Sequence, residues 1–316
     1  MGSYLVTGAA GFIGSEVTKR LIQNGHEVTT IDNVTTGYVD NVPKGVNFIR
    51  ANCQDQEVYN KLKNTRFDAI LHIAGQSSGE VSFDDPVYDL QTNTQSTLLI
   101  LKYALKMGCK RVIYASSMSV YGDHTVLPVK EDALCTPKSF YAVGKLASEH
   151  YLRIYQQYGI NTTALRLFNV YGPSQALGNL RQGMVRIYLT QSIENKHIIV
   201  KGSKERFRDF VYIDDVVDAF VQCIDDPNTF NDVFNIATGR KTTVGELLAL
   251  IKDGLPFPII WEFKGGTLGD QFGIYADISK ARSRFGFSPR IPLKEGLNRM
   301  IDWSLRWKSQ HGDAKV

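Results

Sequence analysis

Three glycines, Gly8, Gly11 and Gly14 in the stretch TGAAGFIGSE, stand between an apolar run, Tyr4-Leu5-Val6, and a helical pattern that begins near residue 12. A strand that turns on glycines directly into a helix is the entry to a parallel α/β sheet. Gly8 permits the tight turn, Gly11 lets a pyrophosphate approach the backbone, and Gly14 lets the helix pack on the sheet. The start of that helix offers unpaired N–H groups and the positive end of its dipole to an anion.

The first half of the chain keeps the rhythm that this entry requires. Tyr4-Leu5-Val6, Val28-Thr29-Thr30-Ile31, Val46-Asn47-Phe48-Ile49, residues 69–73 and Val112-Ile113-Tyr114-Ala115 read as strands, with helices near 12–24, 54–63, 87–107 and 140–158. The alternation predicts right-handed βαβ units and a Rossmann-type, doubly wound parallel sheet. Past Leu167 the elements shorten and Gly/Pro punctuation increases, which predicts a smaller α/β substrate domain over the sheet's carboxyl edge. The expected division gives residues 1–168 plus about 207–238 to the dinucleotide domain, and about 169–206 plus 239–316 to the substrate domain. A net charge of +4 over 316 residues, without a basic block, argues against nucleic acid. No apolar run reaches membrane-spanning length, and Gly8 interrupts the first one, so neither a membrane anchor nor a signal peptide is expected. The cysteines Cys53, Cys109, Cys135 and Cys223 form no CxxC pair and no metal-ligand spacing. Reduced thiols, no metal and a cytoplasmic location follow as expectations.

Val28-Thr29-Thr30-Ile31 runs into Asp32, placed to accept bonds from an adenosine ribose and to disfavour a 2′-phosphate, so NAD is the expected cofactor. In YAVGK, Tyr141 and Lys145 fall one helical turn apart. A phenol with an ordinary pKa of about 10 is expected to be drawn down by that ammonium together with a nicotinium charge. YASSMSVYG puts Ser116 and Ser117 at the carboxyl end of a strand, with Ser117 able to bond the oxygen that Tyr141 deprotonates. His72 reads as a structural strand-end residue and His124 as a loop residue.

Together these motifs, with HIAGQ at 72–76, RLFNVYGP at 166–173, RDFVYIDD at 208–215 and YADISKA at 275–281, resemble the extended short-chain dehydrogenases/reductases. The resemblance is to the NAD-dependent sugar-nucleotide epimerase/dehydratase family (UDP-galactose 4-epimerase-like). It implies that Ser117, Tyr141 and Lys145 are catalytic. It implies an NAD site of Gly8, Gly11, Phe12, Ile13, Asp32, Asn33, Asn52, Cys53, Ile73, Ala74, Gly75, Gln76, Asn93, Ala115, Phe168 and Val170, completed by Tyr141 and Lys145. For the nucleotide-diphosphate sugar it implies Ser77, Ser117, Met118, Ser119, Tyr141, Asn169, Leu180, Arg208 and Asp270. The apolar stripes Leu98, Leu101, Leu105 and Leu146, Leu152 are expected to pack on the sheet, and the resemblance implies that their helices also pair in a homodimer.

The departures narrow the chemistry. Met118 and Ser119 stand where dehydratases, and usually decarboxylases, carry a glutamate for acid–base work. They offer no cysteine of the kind GDP-fucose synthase-like enzymes use either. The expected activity is therefore 4-epimerisation of a UDP-hexose or UDP-N-acetylhexosamine through a 4-keto sugar re-reduced on its other face. The alternatives are a dehydratase, a net oxidoreductase and a non-catalytic NAD-binding scaffold. Asn52 replaces a usual aspartate near the adenine, although its carbonyl can still accept. Thr267 replaces a second diphosphate arginine, for which backbone N–H groups at Gly265-Gly266 or Lys264 could substitute. Ile274 takes the position that sets room for an N-acetyl group.

Overall fold

Fully buried strands flanked by amphipathic helices dominate the chain, and this is what a parallel sheet covered on both faces demands. In the computed structural model, which describes residues 1–62, 65–175, 177–178, 180–266 and 271–311, the strands are β1 (Ser3–Thr7), β2 (Glu27–Asp32), β3 (Asn47–Arg50), β4 (Ala69–His72), β5 (Arg111–Ser117), β6 (Asn161–Leu167), β7 (Asn169–Tyr171), β8 (His197–Lys201), β9 (Phe207–Arg208), β10 (Phe210–Tyr212), β11 (Asp232–Ile236), β12 (Thr242–Thr243) and β13 (Ile260–Lys264). The helices are α1 (Phe12–Gln23), α2 (Val58–Lys61), α3 (Pro86–Leu90), α4 (Ser96–Met107), α5 (Phe140–Tyr155), α6 (Met184–Asn195), α7 (Ile213–Asp225), α8 (Val244–Gly254), α9 (Ser279–Phe285) and α10 (Leu293–His311).

Seven strands form one sheet in the order β11-β6-β5-β4-β1-β2-β3, and every pairing within it is parallel. The strand order reverses between β1 and β4, so a crevice opens at their carboxyl ends, where ligands of such sheets bind. Three two-stranded sheets, β7 with β10, β9 with β12 and β8 with β13, lie beyond β6 in the chain. One apolar core runs from beneath the central sheet (Val6, Leu71) into α8 and α10 (Leu247, Met300). Among the described residues no helix is long and apolar enough to cross a membrane, and no group of three or more His, Cys, Asp or Glu could hold a metal ion.

Two helices differ from expectation. The stretch 54–63 yields only the short α2, because Asn52 bonds Asp55 and the Tyr59 hydroxyl bonds the Cys53 carbonyl, holding the approach in turns. The stretch 87–107 is continuous but contains a π-helical turn, Gln91–Gln95, between α3 and α4. Such one-turn insertions gather at functional sites, and this one carries Asn93. Leu101 and Leu152 are buried as their stripes predict, whereas Leu105 is exposed.

A buried ion pair fixes the carboxyl end of β5 against α5. Glu149 on α5 accepts from Arg166 on β6 through Nε at 2.9 Å and Nη2 at 2.7 Å, and from the Ser116 hydroxyl at 2.5 Å. Arg166 also stacks over the Tyr121 ring at 4.7 Å. Burial works against its charge, and the Glu149 carboxylate more than offsets this, holding the guanidinium above its ordinary pKa. Arg166→Met strands a buried carboxylate and is expected to lower the unfolding free energy by about 3–5 kcal/mol. Urea denaturation measures it, and a loss below about 1 kcal/mol, the worth of a surface pair, would contradict this assignment.

Candidate active site

The glycine turn follows β1 directly. Gly8 takes φ 82°, a conformation that L side chains disfavour, and its N–H bonds the Ile31 carbonyl of β2 at 2.8 Å. A Cβ on Gly14 would overlap the Gly8 carbonyl, so only glycine lets α1 begin this close to the turn. Helix α1 has no side-chain cap among the described residues and no acidic residue in its first turn. Its leading N–H groups therefore open towards a cavity lined by Gly8, Gly11, Phe12 and Ile13. Asp32 stands in the same wall with both oxygens anchored, Oδ2 to the Ala10 N–H at 2.9 Å and Oδ1 to the Val34 N–H at 2.7 Å. An anion-receptive helix start beside a fixed carboxylate fits a dinucleotide's pyrophosphate and ribose.

Asn33, Cys53, Ile73, Ala74, Gly75 and Gln76 complete that wall. Cys53 is buried, and burial holds its thiol far above the ordinary range, which makes it an inert apolar lining. Asn52 stands behind the wall, and its carbonyl, expected to serve an adenine, already accepts from the Asn33 amide at 3.0 Å. Phe168 and Val170 also stand back, Phe168 within an apolar cluster with Tyr121. The Asn93 amide nitrogen bonds the Gln76 carbonyl at 3.0 Å and Asp89 at 3.2 Å. These bonds turn its buried Oδ1 towards Gly75, where it has no hydrogen-bond partner among the described residues.

Ser117 ends β5, and its hydroxyl accepts the Ser119 N–H at 3.2 Å and bonds the Ser119 hydroxyl at 3.0 Å. Tyr141 and Lys145 share one face of α5, with the Lys145 ammonium 5.7 Å from the Tyr141 ring centroid and 4.8 Å from that of Tyr114. The ammonium donates to the Ala115 carbonyl at 2.9 Å. β5 and α5 thus bring the three side chains together, but none of the three is in the wall of either cavity; the two cavities share Ser77, Ser78 and Gln182.

Burial dominates the electrostatics. It pushes the Tyr141 phenol up to about 12, against a lowering bond from Ser117. It pushes the Lys145 ammonium down to about 8, against the raising influence of Asp89 and Glu149. The lowered tyrosine expected from sequence is therefore not a property of the protein's own groups, because desolvation outweighs the Ser117 bond and Asp89 adds to it. His72 is structural as expected. It bonds Thr7 at 2.8 Å and Ser96 at 3.2 Å, and burial followed by the Lys145 charge holds its imidazole neutral, at about 3. His124 bonds the Leu134 carbonyl at 2.7 Å in its loop.

The second cavity is lined by Ser77, Met118, Ser119, Asn169, Leu180 and Arg208, all of them singled out in the sequence. Arg208 is buried and donates to the carbonyls of Phe207 at 2.7 Å and Gln271 at 2.7 Å. Asp270 and Thr267 lie outside the described residues. Ile274 is fully buried in an apolar cluster with Val120 and Phe168, away from the cavity wall. Lys264 pairs with Glu262 at 2.7 Å on β13 and is not in that wall either. Sequence reasoning missed Lys138, Arg181, Lys201 and Arg206 in this cavity and Gln182 and Arg186 in the first. Only Arg206 had a local signal, its spacing of two from Arg208 around a strand.

Fold and site define an α/β enzyme that works on a bound dinucleotide. Comparison with known proteins agrees. The NAD dependent epimerase/dehydratase family matches residues 4–237. The chain is 34% identical over 313 residues to the UDP-glucose 4-epimerase of Mycolicibacterium smegmatis, covering 97% of this chain and 99% of that protein. It superposes with a TM-score of 0.91 and 34% identity on the Thermotoga maritima UDP-glucose 4-epimerase crystallised with UDP-glucose, covering 96% and 99% of the two chains. It superposes with a TM-score of 0.89 and 28% identity on a Bacillus cereus UDP-glucuronic acid 4-epimerase bound to UDP-glucuronic acid and NAD, covering 96% and 99%. The chain belongs to the NAD-dependent epimerase/dehydratase family.

A lysine whose pKa falls to about 8 on folding, from an ordinary 10.5, binds fewer protons folded than unfolded between those values, so its unfavourable contribution shrinks as pH rises through that window. In nucleotide-free protein, Lys145→Met is expected to be more stable than wild type at pH 7.5, with the difference narrowing towards pH 10. Urea denaturation across that range reads it, and a constant difference would refute the buried-charge account.

Proposed function

We propose that the protein is a 4-epimerase of UDP-hexoses or UDP-N-acetylhexosamines. The observation that carries this reading is the convergence of Ser117, Tyr141 and Lys145 beside a cavity whose neighbouring positions, Met118 and Ser119, hold no acid or base for losing water. Tyr141 takes the proton from the sugar's 4-hydroxyl, and Ser117 bonds the same oxygen and orients it. A bound NAD would supply the acceptor for the C4 hydride and its donor on return. Lys145, anchored on the Ala115 carbonyl, sets a positive charge near the phenol and helps to counter the desolvation that raises its pKa. The ketone has no acidic or basic partner at Met118 or Ser119, so its fate is reduction, and turning over the sugar before reduction gives the 4-epimer. The relatives named UDP-glucose 4-epimerase support the uridine nucleotide.

On this reading the glycine turn, Asp32 and the Ile73–Gln76 segment hold the dinucleotide. Residues about 169–206 and 239–316 supply much of the nucleotide-sugar wall. Exposed Val87 and Leu90 on α3 and Phe140, Val143 and Ile154 on α5 support pairing of these helices in a homodimer.

Tyr141→Phe removes the base while preserving ring packing. Turnover is expected to fall about a thousandfold, within the range for general bases, while copurified NAD and the melting temperature stay at wild-type values. Epimerisation near the wild-type rate in this variant would overturn the mechanism.

A further inference from the structure

We propose that Arg206 is the second half of a diphosphate clamp whose first half is Arg208. The inference rests on the nucleotide-sugar reading above and identifies which cation replaces the arginine absent at Thr267. Lys264, the sequence-based candidate, is paired with Glu262 on another strand. Arg206 and Arg208 flank Phe207 at the start of β9. Arg206 immediately precedes β9 and Arg208 ends it, and both line the second cavity. Phe207 turns the other way, against Phe272 and Tyr275, with the Lys241 ammonium 4.3 Å over its ring.

The position of Arg206 is built, not incidental. Its N–H meets the Ser203 carbonyl at 3.4 Å, and its carbonyl accepts the Val244 N–H at the start of α8 at 2.7 Å. The side chain is buried and donates to the Lys201 carbonyl. It crosses Gly202, which takes φ 90°. A Cβ there would stand 2.6 Å from the Arg206 Cδ and 2.8 Å from its Nη1, so a side chain at 202 would both strain the backbone and push the guanidinium aside. Two planar forks presented from positions two apart match the two phosphates of a diphosphate, each able to take paired N–H bonds. The other cations of that wall are each paired with a carboxylate, Lys138 with Asp123, Arg181 with Asp84 and Lys201 with Glu80, and Arg206 and Arg208 are the pair placed to meet a dianion.

The test is titration calorimetry of NAD-loaded enzyme with UDP, comparing wild type, Arg206→Gln and Arg206→Lys at two salt concentrations. Arg206→Gln is expected to weaken UDP binding 10- to 100-fold, the range of charge-assisted bonds, and to flatten its salt dependence, with NAD content and melting temperature unchanged. Arg206→Lys keeps the charge without the fork and should recover part of the affinity; it also remains informative if the glutamine variant does not fold. UDP affinity within twofold of wild type in both variants would overturn the clamp. Wild-type enzyme that binds no UDP would instead bring down the nucleotide-sugar reading, and the clamp with it.

Discussion

Glu149 joins three elements that have no local reason to meet. It bonds Arg166 from β6 and Ser116 from the end of β5 while riding on α5, one turn beyond Lys145. Ser117 is the next residue after Ser116, and Tyr141 and Lys145 lie on the preceding turns of the same helix, so this single carboxylate sets the distance between the strand that brings Ser117 and the helix that brings Tyr141. A buried pair of this kind adds little net stability compared with an apolar substitute, but it tolerates few alternative geometries. Ser117, Tyr141 and Lys145 inherit that exactness.

Burial has an electrostatic consequence for the same residues. The water that would solvate a phenolate and an ammonium is excluded, which moves Tyr141 up to about 12 and Lys145 down to about 8. His72 stays neutral beneath them, so it adds no third charge.

Features that depend on near neighbours in the chain were legible in the sequence. The glycine turn, the strand–helix alternation, the one-turn spacing of Tyr141 and Lys145 and the serine at the end of β5 are all local patterns. Features that depend on tertiary packing were not. The π-helical turn that presents Asn93 arises where α3 and α4 pack against α5, and no residue in Gln91–Gln95 announces it. The Glu149–Arg166 pair spans two elements, and the sign of the Tyr141 shift depends on burial. Arg206 had only its spacing of two from Arg208 to mark it, a weak signal because it lies just outside the two-residue β9 and the glycine that accommodates it lies four positions earlier.

The central claim is that one carbon is oxidised and re-reduced by a hydride that never leaves the protein. The direct measurement is proton and deuterium NMR of NAD-loaded enzyme turning over UDP-glucose and UDP-N-acetylglucosamine, each deuterated at C4, in ordinary water. The account predicts a 4-epimer that retains deuterium at C4 and takes up no solvent proton there. A 4-epimer carrying solvent hydrogen at C4, or a 4-keto-6-deoxy product, would contradict it.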